Sequence, residues 1–276
     1  LADYIYPGKL GGVTNEEDRT RLRDRMLQWG FDRAEFIDQE TLVCDTQVAV
    51  ISSDDLVVVV YRGTESKIEG VTLDLVDWLS DAGFSLVPPK ADLSWGDVKI
   101  GVHRGFITAH HSVRNAVVGM VQNHLQSGDS PAGGKKVWVT GHSLGGALAS
   151  LSAYQLQRID DIPVQGVVTF GSPRVGNGTW NTSFTAQFGG RAQRWIQYND
   201  LIPMLPPEGS EHTSVTSYRH VGVVNTIGSD GQVEFGGGEQ IATPSISSHL
   251  KYCSSIYNAG NFPDSLEMLP EPLPGS

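Results

Sequence analysis

The chain has 276 residues, 39% of them hydrophobic and 18% charged, with 32 glycines, a composition that fits a folded protein and excludes an intrinsically disordered one. Its formal net charge of −11 repels phosphate backbones, so no nucleic-acid partner is expected, and anionic membranes are disfavoured too. No apolar run approaches the ~20 residues of a membrane-spanning helix.

In chain order, Thr14-Asn15-Glu16-Glu17 has the form of a capping box, with Leu22, Met26 and Leu27 as the apolar face of the helix it would start. Two apolar runs follow at residues 46–52 and 56–61. The Ser53-Asp54-Asp55 turn between them predicts an antiparallel hairpin. Ile68, Val71, Leu75 and Leu79 then fall on one side of a helical wheel, and Asp74, Asp77 and Asp81 on another; periodicity alone reads this as a surface helix packed on the core. Further strands are expected at 137–140, 167–170 and 194–198, separated by helical patterns at about 107–127 and 144–158. Strands alternating with helices predict an α/β fold with a sheet largely parallel after the hairpin. There is no internal repeat and no interdomain linker, so residues 1–276 are read as one domain. Residues 261–276, rich in proline, are expected to be an extended tail.

Cys44 and Cys253 fit either two buried thiols or one disulfide. No Cys/His spacing suggests zinc, and neither a metal nor a cofactor is expected. Leu1 is not followed by a basic n-region, so any signal peptide is expected to be already removed or never to have existed.

The segment with chemistry is Gly141-His142-Ser143-Leu144-Gly145, a G-x-S-x-G pattern. A buried strand, Val137-Trp138-Val139-Thr140, precedes it, and Gly146-Ala147-Leu148-Ala149-Ser150-Leu151 opens a helix after it. Strand, sharp turn and helix form a nucleophile elbow that lifts Ser143 to the end of the sheet. The turn leaves no room for bulk two residues either side, hence Gly141 and Gly145. Leu144 would offer its backbone N–H to an oxyanion, and a second donor is expected from the loop after an earlier strand, where Thr64 lies.

A serine hydroxyl needs a histidine to take its proton and a carboxylate to orient that histidine, in the chain order Ser, acid, His. The acids after Ser143 include Asp160, Asp161, Asp200, Glu208 and Glu211. Asp200 follows a strand end, where α/β sheets place their sites. The histidines are His212, His220 and His249, and spacing does not separate His220 from His249. His142 is expected to support the elbow and His103 to be structural. Asn177-Gly178-Thr179 and Asn181-Thr182-Ser183 fit the glycosylation pattern and are read as chance occurrences.

From about residue 46 to 252 the chain resembles the class 3 lipases, the family of filamentous-fungal triacylglycerol lipases and related feruloyl esterases. The segments that carry the resemblance are Tyr61-Arg62-Gly63-Thr64, Asp77-Trp78-Leu79-Ser80-Asp81, Val102-His103-Arg104-Gly105-Phe106, the elbow, Gly171-Ser172-Pro173-Arg174-Val175-Gly176-Asn177, Asn199-Asp200-Leu201-Ile202-Pro203 and Ser248-His249-Leu250-Lys251-Tyr252. The chain departs from the family in a longer segment after Thr64 and in having only two cysteines. The resemblance implies an α/β-hydrolase fold, a Ser143–His249–Asp200 triad, an oxyanion hole from Thr64 and Leu144, and a lid over residues 65–86. It further implies a secreted triacylglycerol lipase of lipid catabolism, working on lipid or another ester at an oil–water interface. A feruloyl or short-chain esterase is the alternative within the chemistry. A non-catalytic binding module on the same fold is the alternative outside it.

Overall fold

The structure is a computed structural model that describes residues 16–40, 45–63, 85–89, 94–95, 98–127, 134–208 and 217–236, with 245, 248, 249, 251, 252 and 255. Thr14, Thr64, both cysteines, His212, the tail at 261–276 and all of the 65–86 segment but Ser85 and Leu86 lie outside the described residues.

Helix α1 (Glu16–Gln28) leads into an antiparallel meander of β1 (Arg33–Glu40), β2 (Asp45–Ser52) and β3 (Leu56–Tyr61). Four short strands follow: β4 (Leu86–Val87), β5 (Ser94–Trp95), β6 (Val98–Lys99) and β7 (Val102–His103). The α/β part runs α2 (Arg104–Gln126), β8 (Lys136–His142), α3 (Leu144–Arg158), β9 (Val164–Phe170), β10 (Gly176–Asn177), α4 (Gly178–Phe188) and β11 (Ala192–Gln197). β12 (Tyr218–Arg219), β13 (Val223–Ile227) and β14 (Val233–Phe235) close the described sheet structure.

The main sheet has the order β1-β2-β3-β8-β9-β11-β13-β14. It is parallel from β3 through β13, with antiparallel pairs at both edges. This is the mostly parallel, helix-flanked sheet of an α/β-hydrolase. A smaller sheet, β12-β10-β7-β4, lies apart from it, and β5 pairs with β6.

Alternation along the strands decides which helix goes where. Val57, Val59 and Tyr61 of β3 face the larger core with Phe106, Val113, Val117 and Val121 of α2 and Leu148 and Leu151 of α3. Val58 and Val60 face the opposite side, where Leu22 and Met26 of α1 cover them. Leu27 does not join that face. It is 56% exposed, a correction to the apolar stripe read from the sequence. The third anchor on that side comes instead from Phe36 and Ala34 of β1. Helix α3 is buried along almost its whole length, and Gly145, Gly146, Ala147, Ala149 and Ala153 let it sit close to the sheet. No helix among the described residues is long and apolar enough to cross a membrane.

Candidate active site

Strand β8 ends at His142, and α3 begins at Leu144. Ser143 makes the whole reversal alone, at φ 59° and ψ −131°, a left-handed conformation that a side chain adopts only under strain imposed by its surroundings. The turn is held from both sides: Ser143 N donates to Phe170 O at 2.9 Å, and Gly146 N donates to Ser143 O at 2.9 Å. The two elbow glycines are sterically required. A Cβ on Gly141 would drive into the backbone of Gly145, and one on Gly145 into the carbonyl of Tyr61 at the end of β3. Leu144 is the first residue of α3, so its N–H has no partner within the helix and faces the same end as Ser143.

Strand β9 ends one residue before Gly171, and the loop after β11 carries Asp200. Asp200 is buried and its carboxylate accepts three hydrogen bonds. Ile202 N reaches Oδ1 at 2.9 Å. His249 Nδ1 and Tyr252 Oη reach Oδ2 at 2.8 and 2.6 Å. A carboxylate only accepts, so His249 carries its hydrogen on Nδ1 and leaves the Nε2 lone pair as a base. That Nε2 is buried and has no hydrogen-bond partner among the described residues. Burial and the adjacent Asp200 charge push the Tyr252 phenol well above its usual range, so it stays protonated and donates. Its oxygen also accepts from Gln197 N at 3.0 Å, which ties the acid loop to the end of β11.

Of the histidines left open by spacing, the structure brings His249 to Asp200 and sends His220 elsewhere. His220 Nε2 donates to Pro203 O at 2.6 Å, and Asn181 Nδ2 donates to His220 O. Burial, with Arg194 and Arg174 nearby, pushes the His220 imidazole well below its usual range. Of the other acids, Asp160 pairs with Arg114 and Glu208 pairs with Arg219 and Arg174. The Arg174 guanidinium also holds Met204 O and Pro206 O, and its backbone N–H donates to Leu205 O at 2.7 Å. The loop that follows Asp200 is thereby stapled to the segment after β9.

Thr64 itself lies outside the described residues, but the chain leading to it is pinned. Arg62 N donates to Gln47 O at 3.0 Å, its guanidinium bonds Gln47 Oε1, and Gln47 Nε2 donates to Asp38 Oδ1 at 3.0 Å. Ser85 O accepts from Arg104 N at 3.0 Å, and Leu86 pairs with His103, so the end of the 65–86 segment is anchored in the small sheet. Asn177 is fully buried; its side chain caps α4 by accepting from Trp180 N at 2.9 Å.

Sequence reasoning missed the roles of two residues at this site. Tyr252 ends the Ser248–Tyr252 motif, and its spacing of three from His249, about one helical turn, is the signal that could have found it. Gly171, at φ +56°, sits where a Cβ would lie 2.9 Å from Asp200 Oδ2 and from His249 Cε1 and Nδ1. His142 was expected to support the elbow; its Nε2 reaches across to His249 O at 2.7 Å, and the two rings lie 4.5 Å apart.

The class of protein defined by this sheet, elbow and buried His–Asp pair has close counterparts. The family model for lipase (class 3) matches residues 58–210. A lipase of Rhizopus niveus is 32% identical over 221 residues, covering 77% of this chain and 52% of that protein. Secreted mono- and diacylglycerol lipase 1 of Fusarium solani is 34% identical over 145 residues, 52% of this chain and 40% of its own length. The Rhizomucor miehei lipase in complex with its propeptide superposes with a TM-score of 0.61 at 26% identity, over 79% of this chain and 68% of that one. The chain belongs to the class 3 lipase family. It spans about half the length, or less, of these curated relatives.

Proposed function

We propose that this chain is a secreted serine carboxylester hydrolase that cleaves triacylglycerols and related lipid esters at an oil–water interface. The observation that carries the reading is the strained elbow serine at the same sheet end as a buried imidazole whose Nδ1–H is held by a carboxylate at 2.8 Å. The names of the relatives support the substrate class and the extracellular setting.

In this reading Ser143 Oγ attacks the ester carbonyl while its proton passes to His249 Nε2. Asp200 fixes the tautomer and stabilises the imidazolium that forms. The negative charge on the carbonyl oxygen is met by the N–H groups of Leu144 and Thr64, helped by the N-terminus of α3. Collapse breaks the bond to the alcohol, which leaves with the proton from His249, and Ser143 keeps the acyl group. Water then attacks, its proton goes to His249, and the carboxylic acid departs as Ser143 Oγ takes that proton back.

Initial rates over dissolved short esters, a feruloyl ester and emulsified triacylglycerols of increasing acyl length test the proposal, with Ser143→Ala as control. Emulsified triacylglycerol is expected to be hydrolysed, and Ser143→Ala to lose about 10⁴-fold or more. A variant keeping over about a tenth of the activity would remove Ser143 from its role. Turnover of feruloyl or dissolved esters alone would make the chain an esterase. No turnover together with no fluorophosphonate labelling would make it a binding module.

A further inference from the structure

The segment that bears His249 reaches the site from beyond β14, and no strand of the main sheet includes it. Its described backbone attachments include Ser245 N donating to Asn199 O at 2.6 Å, Lys251 N to Ser248 O at 3.2 Å and Ser255 N to Lys251 O at 2.8 Å. The carbonyl of His249 itself is held from the elbow, by the side chain of the residue before the nucleophile. His142 Nε2 lies 2.7 Å from that oxygen. A carbonyl only accepts, so His142 must carry its hydrogen on Nε2. Its ring also lies against the His249 ring, 4.5 Å between centroids and 31° from parallel, with Tyr252 edge-on to both.

We propose that His142 is a positioning residue for the base: its Nε2–H and ring fix where the His249 imidazole stands relative to Ser143. This rests on the reading of Ser143, His249 and Asp200 as the hydrolytic triad and deepens it. Hydrogen bonding to Asp200 alone leaves the imidazole free to pivot about Nδ1, which swings Nε2 towards or away from the serine. A second hold, on the carbonyl of the same residue, removes that freedom. The two holds come from different places, the acid loop after β11 and the end of β8. Because the end of β8 is also where Ser143 begins, nucleophile and base share one anchor.

The state of His142 suits the task. Burial first, and the neighbouring His249 second, push its pKa down to about 3. It stays neutral while His249 becomes cationic in each tetrahedral step, so no second positive charge opposes the imidazolium. A lysine or arginine could donate to the same carbonyl but would repel that charge.

Two substitutions separate positioning from packing. His142→Phe keeps a ring against His249 and loses the donor; His142→Gln restores an N–H at similar reach. On a dissolved short ester, His142→Phe is expected to lower kcat about 10- to 100-fold with KM within about twofold, as for a misplacement on the order of 1 Å. His142→Gln is expected to recover kcat to within about threefold. The low-field NMR signal of the His249 Nδ1–H proton, sharp in the wild type and in His142→Gln, is expected to broaden in His142→Phe. A folded His142→Phe with wild-type kcat, or a folded His142→Gln as impaired as the phenylalanine, overturns the proposal. Should the phenylalanine variant fail to fold, the glutamine variant decides alone: wild-type kcat supports positioning and a large loss refutes it. The triad reading fails separately, through a wild type whose Ser143 takes no fluorophosphonate. The proton signal reads the hold on His249 whatever the outcome of that labelling.

Discussion

Gly171 has no side chain, and that is its contribution. Its φ of +56° already disfavours any other residue, and a methyl group there would press on Asp200 and His249 together. Gly171→Ala is expected to lower ester hydrolysis by about 100-fold or more and to cost about 1–3 kcal/mol in urea unfolding. Unchanged kinetics in the folded variant would mean that the pair tolerates displacement. His249→Ala is expected to match Ser143→Ala in severity, since triad members act as a unit. His220→Ala loses its bond to Pro203 O and is expected to reduce activity only a few-fold; the reverse ranking would move the base to His220. The part of this site built by adjacent residues was legible in the sequence. Ser143 and its glycines obey a steric rule that a motif records, although Gly145 answers to Tyr61 on β3 as well as to the turn. The pairing of Asp200 with His249 was not, except through family resemblance, because two loops 49 residues apart meet only once the sheet is assembled. The contacts of Gly171 and His142 with the Asp200–His249 pair were illegible for the same reason, since what each must avoid or hold belongs to a distant part of the chain.

The strands with unbroken apolar runs were read correctly because burial on both faces leaves its mark in composition. The hairpin of β2 and β3 appears where the Ser53-Asp54-Asp55 turn put it. β1 escaped notice: Arg33, Glu35, Asp38 and Glu40 make it look like a surface loop. It is an edge strand, one side of which need only bury Ala34 and Phe36. Leu27 erred the other way, since helical spacing marks a stripe but does not say how wide the covered part is. The segment Gly176–Asn177 gives the clearest element-scale test. Asn177 fits a glycosylation pattern, yet its side chain is enclosed, accepting from Trp180 N and from Gly101 N at 3.2 Å. It joins the start of α4 to the chain before β7. Asn177→Ala is expected to cost about 1–2 kcal/mol in urea unfolding while leaving KM unchanged. A loss below about 0.3 kcal/mol would deny the cap its role.

The protein as a whole should weaken in acid for a reason visible in its core. His110 is buried on α2 beside Tyr61 of β3; burial, then the charges of His111 and Arg114, push its pKa down to about 3. His142 stands at about 3 as well. In the unfolded chain each returns to about 6.5. Below 6.5 the unfolded state therefore binds protons that the folded state refuses, and stability falls as pH falls, by up to about 1.4 kcal/mol per pH unit per group down to the folded value. Urea midpoints measured from pH 7 to pH 4 are expected to decline, and His110→Phe, which keeps the ring and drops the titration, should make the decline shallower. An identical slope in the variant would clear His110 of the effect.

The reach of His142 to His249 spans 107 positions in the chain, and this sets an order of events during synthesis. The elbow and its strained serine leave the ribosome long before the histidine that would activate them. Until residues 249–252 have emerged and docked, Ser143 is an ordinary alcohol with no base beside it. On the proposed reading, competence to cut esters waits for the segment around His249 to dock, and a nascent polypeptide that stops short of it holds a shaped elbow without its base.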